Sequence, residues 1–264
     1  MVRIISFILL TFLAGSQNAH AENVTFTFAY DVQEGFPSFM GNGRTIPADA
    51  PGTYIEVLRL VEQRLPIKLK LVRYPWGRCK ANIKANKVDA INSSFREARK
   101  EIGVFPTSVD QTIDNSKRIT SDTYWIYAHE DDPIYFDPHS MKIHNIGKGL
   151  VAPLGYSIVK DLIQVGIPIQ ENPQGVLGSL KMVALNRASG AIAHETQAQY
   201  LLRKNPKEFA GIKPVPPAIK EKPYFILVSK AFYKKHPKLT QDIWAEIENI
   251  RENEFDRIKE KYYQ

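Results

Sequence analysis

Residues 74–105, YPWGRCKANIKANKVDAINSSFREARKEIGVF, gather Arg78, Arg96 and Arg99 around the short segment VDAIN. Arginine is well suited to capturing anions. Its planar guanidinium gives a carboxylate two parallel hydrogen bonds, which a lysine ammonium cannot do. VDAIN reads as a strand, and open α/β sheets bind ligands outside the carboxyl ends of their strands. Arg96 and Arg99 follow that end. The plainer reading makes Arg99 a surface arginine opposite Glu97 or Glu101, and Arg78 and Arg96 exposed helical cations. Trp76 reads either as part of the core or as a flat platform for a ligand. Cys79, the sole cysteine, reads as a small buried hydrophobe, and no internal disulfide can form.

The elements that must position these residues show in the periodicity. VTFTFAYD (24–31) alternates as a strand, and a Gly/Pro-dense loop follows it. Tyr54, Val57, Leu58, Val61 and Leu65 keep helical spacing, and IKLKLVRY alternates again as a strand. WGRCKANIKANK as a helix and VDAIN as a strand complete a β-α-β-α-β run, the pattern of a mostly parallel, helix-covered sheet. A second α/β run begins at TYWIYAHED, followed by a linker, DPHSMKIHNIGKG, and then LVAP, SIVKDLIQVG, IPI, GVLGSLKMVALNR, GAIAH and ETQAQYLLRKNP. KEKPYFILVSK predicts one more strand, and the C-terminus predicts one long helix with Leu239, Ile243, Ile247, Ile250, Ile258 and Tyr262 near one face. Two successive α/β units imply two lobes and a cleft.

The N-terminus supplies the address. Arg3, the apolar run Ile4–Leu13 and Ala19-His20-Ala21 form a secretory signal peptide, with cleavage expected after Ala21 and a periplasmic product. No later segment is long and apolar enough to span a bilayer. The formal charge of +7 is read, in an exported chain, as a field for small anions or a solvated basic surface, and no nucleic-acid partner is expected. There is no G-x-S-x-G, H-E-x-x-H or Walker loop. His139 and His144 lack further ligands at metal spacing, so neither a metal nor another cofactor is expected.

GTYIEVLRLVEQRL, RCKANIKANKVDAINSSFREARKEIGVFP and RASGAIAHETQAQYLL together carry a resemblance over residues 23–264. The chain resembles the periplasmic solute-binding proteins of type II fold, especially the polar amino-acid-binding family, extracellular solute-binding protein family 3. The resemblance implies an α/β, two-lobed fold with a ligand cleft between the lobes. Lobe 1 is then 22–120 plus 223–264 and lobe 2 is 121–222, with hinge strands near 119–123 and 220–223. By the match, Arg99 is the clamp on the ligand's carboxylate. Glu195 takes the place of the acid that meets the ligand's ammonium group, one methylene longer than the usual Asp. The family's hydroxyl residue three before the clamp is Arg96 here, and Ser94 supplies a hydroxyl slightly earlier. Trp76 falls where the family often puts a stacking aromatic, with Phe36 or Phe39 as the facing wall and Arg78 as a further candidate contact. Gly155, Tyr156 and Ser157 match a turn whose backbone amides meet ligand oxygens, and a helix N-terminus favours anions.

The implied function is binding of a small carboxylate-bearing solute, amino-acid-like or acidic, by a monomer that serves an ABC permease or a membrane sensor. One alternative is a cleft enzyme similar to the cyclohexadienyl dehydratases, with Glu195 beside His194 moving protons. A second is an interaction protein without a solute.

Overall fold

Strand β1 (Val24–Asp31) organises the first half of the computed structural model, which describes residues 23–263. The signal-peptide segment therefore lies outside the described residues. β1 takes the centre because both of its faces are apolar. Phe26, Phe28 and Tyr30 pack on one side and Ala29 on the other, as the two-residue period of a strand requires. It is flanked in parallel by β2 (Ile67–Tyr74) and β3 (Ala90–Ser94), with Asp31 opposite Tyr74 and Ala29 opposite Ile91. Helices α1 (Thr53–Arg64) and α2 (Trp76–Lys84) make the crossovers.

Helix α1 starts after Gly52, whose φ of 113° and tight contact with the Ser38 carbonyl exclude any side chain; a Cβ there would lie 2.2 Å from that oxygen. Its buried face, Tyr54, Ile55, Val57, Leu58 and Val61, recurs at helical spacing. Each such apolar side chain stabilises by about 1.5–3 kcal/mol on full burial.

Strand β4 (Thr120–His129) leads into the second half, where a hairpin of β5 (Tyr135–Asp137) and β6 (Lys142–His144) occupies part of the expected linker. Met141, at φ 54°, turns the hairpin just before β6. Then β7 (Leu150–Pro153) lies parallel between β8 (Ile169–Asn172) and β9 (Gly190–His194). Helices α3 (Ser157–Gln164), α4 (Gly175–Ala184) and α5 (Glu195–Lys204) accompany these strands.

The chain returns along β10 (Ile212–Val228), which starts well before the expected strand at Lys220. β10 pairs antiparallel with both β4 and β3, so the order is β2-β1-β3-β10-β4-β9-β7-β8 and the hydrogen bonding runs unbroken between the halves. The register shifts between Val215 and Lys220, where Pro216 and Pro217 have no N–H to offer the ladder. The expected long C-terminal helix is three: α6 (Lys230–Lys235), α7 (Pro237–Asn253) and α8 (Phe255–Tyr263). Pro237 opens α7, and the non-helical Glu254 (φ −134°) separates α7 from α8. Trp244 of α7, fully buried, donates its Nε1–H to the Ile226 carbonyl at 2.8 Å and fixes the C-terminal helices to the sheet.

Candidate functional site

The carboxyl ends of β1, β3, β7 and β9 open on one cavity of about 650 Å³ between the two halves. That is the placement open α/β sheets favour. Arg99 reaches it from a 3₁₀ turn, Glu97–Glu101, just beyond β3. One end of its guanidinium is fixed by the protein: Nη1 donates to the Ser94 carbonyl at 2.8 Å, Ser94 Oγ at 2.9 Å and Ser93 Oγ at 3.1 Å. No carboxylate forms an ion pair with it among the described residues, although burial pulls its pKa down. The result is a desolvated cation, oriented through one nitrogen, in the wall of the cavity.

The cavity also takes in Trp76, Ser94, Phe36, Phe39, Tyr156 and Ser157. Phe36 lies flat on Tyr200 of α5, with ring centroids 4.0 Å apart. Phe39 stacks on Tyr30 at 4.8 Å and belongs mainly to the first-lobe core. Arg73, buried at the end of β2, anchors the loop carrying both phenylalanines by donating to the carbonyls of Gly41 at 2.7 Å and Thr45 at 3.1 Å. Tyr156 stacks on His194 at 4.6 Å. Ser157 is buried, with its Oγ 3.0 Å from Ser94 Oγ and 3.3 Å from Lys222 Nζ. The Gly155 amide, matched to a ligand-binding turn, instead donates to Glu171 at 2.7 Å.

Three sequence-derived candidates stand outside the lining. Arg78 projects from the exposed face of α2. Arg96 turns to the other lobe, where its Nη1 meets Asp161 Oδ1 at 2.9 Å and the Ser157 carbonyl at 2.6 Å. Glu195, the first residue of α5, accepts from Gln199 at 3.1 Å and lies on the side of Tyr127, whose buried phenol it helps push up.

The acids that do reach the cavity are Asp31, Glu34, Asp122 and Glu171. Asp31 ends β1; burial raises its carboxyl, against the Gln33 and Val32 amides and nearby Arg73. Asp122, on β4, accepts from the Thr123 amide at 2.8 Å and from the Thr196 hydroxyl. His194 lies between Asp122, 4.0 Å from its Nδ1, and the Tyr224 hydroxyl, 2.7 Å from its Nε2. Burial lowers the imidazole pKa and Asp122 opposes that. Lys80, Lys160, Tyr124 and Gln197 were likewise not singled out from sequence. Asp31 had a signal, as the last residue of the first strand, and Lys80 had one as the residue four after Trp76 on one helix face. Asp122, in mid-strand, had none.

The lobes touch directly across the cleft. Gln33 donates to the Pro173 carbonyl at 2.7 Å, and Gln197 to that of Glu34 at 2.8 Å. Among the described residues no group of three His, Cys, Asp or Glu is placed to hold a metal, and no helix is long and apolar enough to cross a membrane.

The profile of the bacterial extracellular solute-binding proteins, family 3, matches residues 32–264. No sequence among curated proteins matches. Among solved structures, a histidine kinase sensor domain with similarity to periplasmic binding proteins aligns with TM-score 0.70 at 16% identity, over 91% of this chain and 96% of that one. ArtJ, an arginine-, lysine-, histidine-binding protein from Geobacillus stearothermophilus, gives 0.68 at 13% identity, over 90% and 95%. The GluR0 ligand-binding core from Nostoc punctiforme, in complex with L-glutamate, gives 0.65 at 17% identity, over 91% and 99%. Likeness at such identities is likeness of fold: an α/β architecture of two lobes.

Proposed function

The chain belongs to the bacterial extracellular solute-binding proteins, family 3, and from that premise we propose that it binds a small solute through a carboxylate held by Arg99. The observation that carries this reading is the state of that arginine. It lines the cavity, three acceptors orient one of its nitrogens, and among the described residues no carboxylate forms an ion pair with it. A cation so placed is matched by an anion arriving from solution. In the water-poor cleft that pairing is stronger than on an open surface. Asp31 and Asp122 then offer the opposite pole for a solute that also carries an ammonium group. The amino-acid ligands named for ArtJ and GluR0 are consistent with this pairing.

The lobes are assigned to 22–120 plus 223–264 and to 121–222, moving about β4 and β10. The protein acts in the periplasm, as a monomer, and delivers its solute to an ABC permease or reports it to a membrane sensor; the sensor-domain relative supports the second destination. Binding rather than turnover is favoured because Glu195, the proposed partner of His194 in proton transfer, does not reach the cavity.

The test is a thermal-shift screen of amino acids and small acids, followed by calorimetry on each hit with Arg99→Lys and Arg99→Ala. Lysine keeps the charge and loses the planar fork, so both variants should weaken binding nearly equally. The expected loss is about 2–5 kcal/mol, the range for a charged pair removed from a dry interface. Binding of an acid by Arg99→Ala as tight as by the parent protein would remove the clamp from Arg99.

A further inference from the structure

Two further cations, Lys80 and Lys160, join Arg99 in the cavity lining. Lys80, on α2, lies one turn beyond Trp76, with its Nζ 5.8 Å from the indole centre. It reaches the opposite lobe: a Cβ added to Gly155 would lie 3.5 Å from that Nζ. Lys160, near the start of α3, faces the same cavity from the second lobe. Among the described residues neither lysine forms an ion pair, whereas the cations of the nearby inter-lobe cluster, Arg96 and Lys222, both pair with Asp161.

Glu171 is the carboxylate on this side, and one of its oxygens already accepts from Gly155. Lys80 is partly buried, and its pKa is drawn down by that burial, then by Arg99 and Lys160, with Glu171 opposing. Arg99 and Lys160 are thus both near enough to bear on the Lys80 ammonium. Lys80 and Lys160 bring like charge to the cavity from opposite walls, and an anion placed between them would relieve that repulsion.

We propose that Lys80 and Lys160 form a second anion subsite, assembled from both lobes, so that the solute carries a second acid group beside the carboxylate on Arg99. The inference rests on the carboxylate reading of the cleft. It narrows the solute to a dicarboxylate or an acidic amino acid, with Asp31 and Asp122 opposite for an ammonium group if one is present.

Matched acid and amide pairs test it by calorimetry: L-glutamate against L-glutamine, L-aspartate against L-asparagine, and succinate and glutarate against their monoamides. The acid of at least one pair should bind about tenfold or more tighter than its amide, a gap typical of one added charge pair. Lys80→Met and Lys160→Met should each weaken the acid about tenfold more than the amide. Arg99→Ala should weaken both members. Amides that bind as well as acids, or a preference that survives both lysine variants, overturn the second subsite while the clamp at Arg99 stands. If no acid or amide binds, the carboxylate reading falls and this inference falls with it.

Discussion

Replacing Asp161 with Asn tests how the lobes are held together. Its carboxylate lies between two cations: Arg96 Nη1 at 2.9 Å, from the first lobe, and the nearly buried Lys222 Nζ, from β10. The side chains of Arg96 and Lys222 are only 17% and 8% exposed, while that of Asp161 is 34% exposed. A fully exposed pair is worth about 1 kcal/mol or less. Removing one partner of a buried pair costs about 3–5 kcal/mol. A carboxylate one-third exposed between two mostly buried cations falls between, at about 1.5–3 kcal/mol. The Arg96 share acts between lobes and so bears on closure alone. Taken as about 1–2 kcal/mol, it corresponds to about a 5- to 30-fold shift toward the open form. Spin labels on the two lobes, read by pulsed electron resonance, would report the shift as a longer inter-lobe distance in Asp161→Asn. A double-mutant cycle with Arg96→Met would isolate the pair. An unchanged distance distribution, together with a coupling energy under about 0.3 kcal/mol, would refute the reasoning.

Gly155 has φ 81°, and a Cβ there would lie 2.9 Å from Trp76 Cδ1 in the other lobe. Gly155→Val should therefore weaken binding of any ligand found, by about tenfold or more, with Trp76→Ala restoring part of the loss; equal affinity in Gly155→Val would contradict it. For His194, burial holds the folded-state pKa below the ordinary 6.5, so the unfolded chain takes up a proton first as pH falls. Its contribution to stability is present above about pH 6.5 and lost on acidification below it. The melting temperature should drop from pH 7 to pH 5, and His194→Gln should flatten that drop. The same slope in both proteins would mean the carboxylates account for it.

Local periodicity made the β-α-β frame legible, because apolar alternation and helical spacing are properties of neighbouring residues. It did not reveal that β10 extends to Ile212, since prolines at 214, 216 and 217 argue against a strand and only pairing with β4 outweighs them. The cleft position of Arg99 was readable because it follows a parallel strand by a few residues, within one turn of backbone. Its neighbour Arg96 showed the limit of that argument. The same turn aims one arginine at the cavity and the other at Asp161, and the choice depends on a helix 61 residues further along. Glu195 failed to reach the lining for a related reason. A match along the chain fixes its number but not the rotation of α5, which turns Gln197 toward the cleft instead. Contacts such as Phe36 on Tyr200 have no local signal at all.

The closeness of Arg99 and Arg96 has a consequence for how affinity is built. Arg99 lines the cavity from within the 3₁₀ turn, whereas Arg96, the residue just before that turn, lies outside the lining against Asp161 and the Ser157 carbonyl. Direct bonds between the lobes raise the fraction of molecules already able to grip, and apparent affinity scales with that fraction whatever the solute. Arg96 and Asp161, which pair across the lobes outside the cavity lining, should therefore move every ligand's dissociation constant by one common factor. Arg99, Lys80 and Lys160 should move different ligands by different factors, since their bonds depend on the ligand's own charges. Affinities for several ligands, measured across both groups of variants, separate the two roles. A variant of Asp161 that reordered the ligands instead of scaling them all would place that carboxylate in recognition, and the division between gripping and closing would have to be redrawn.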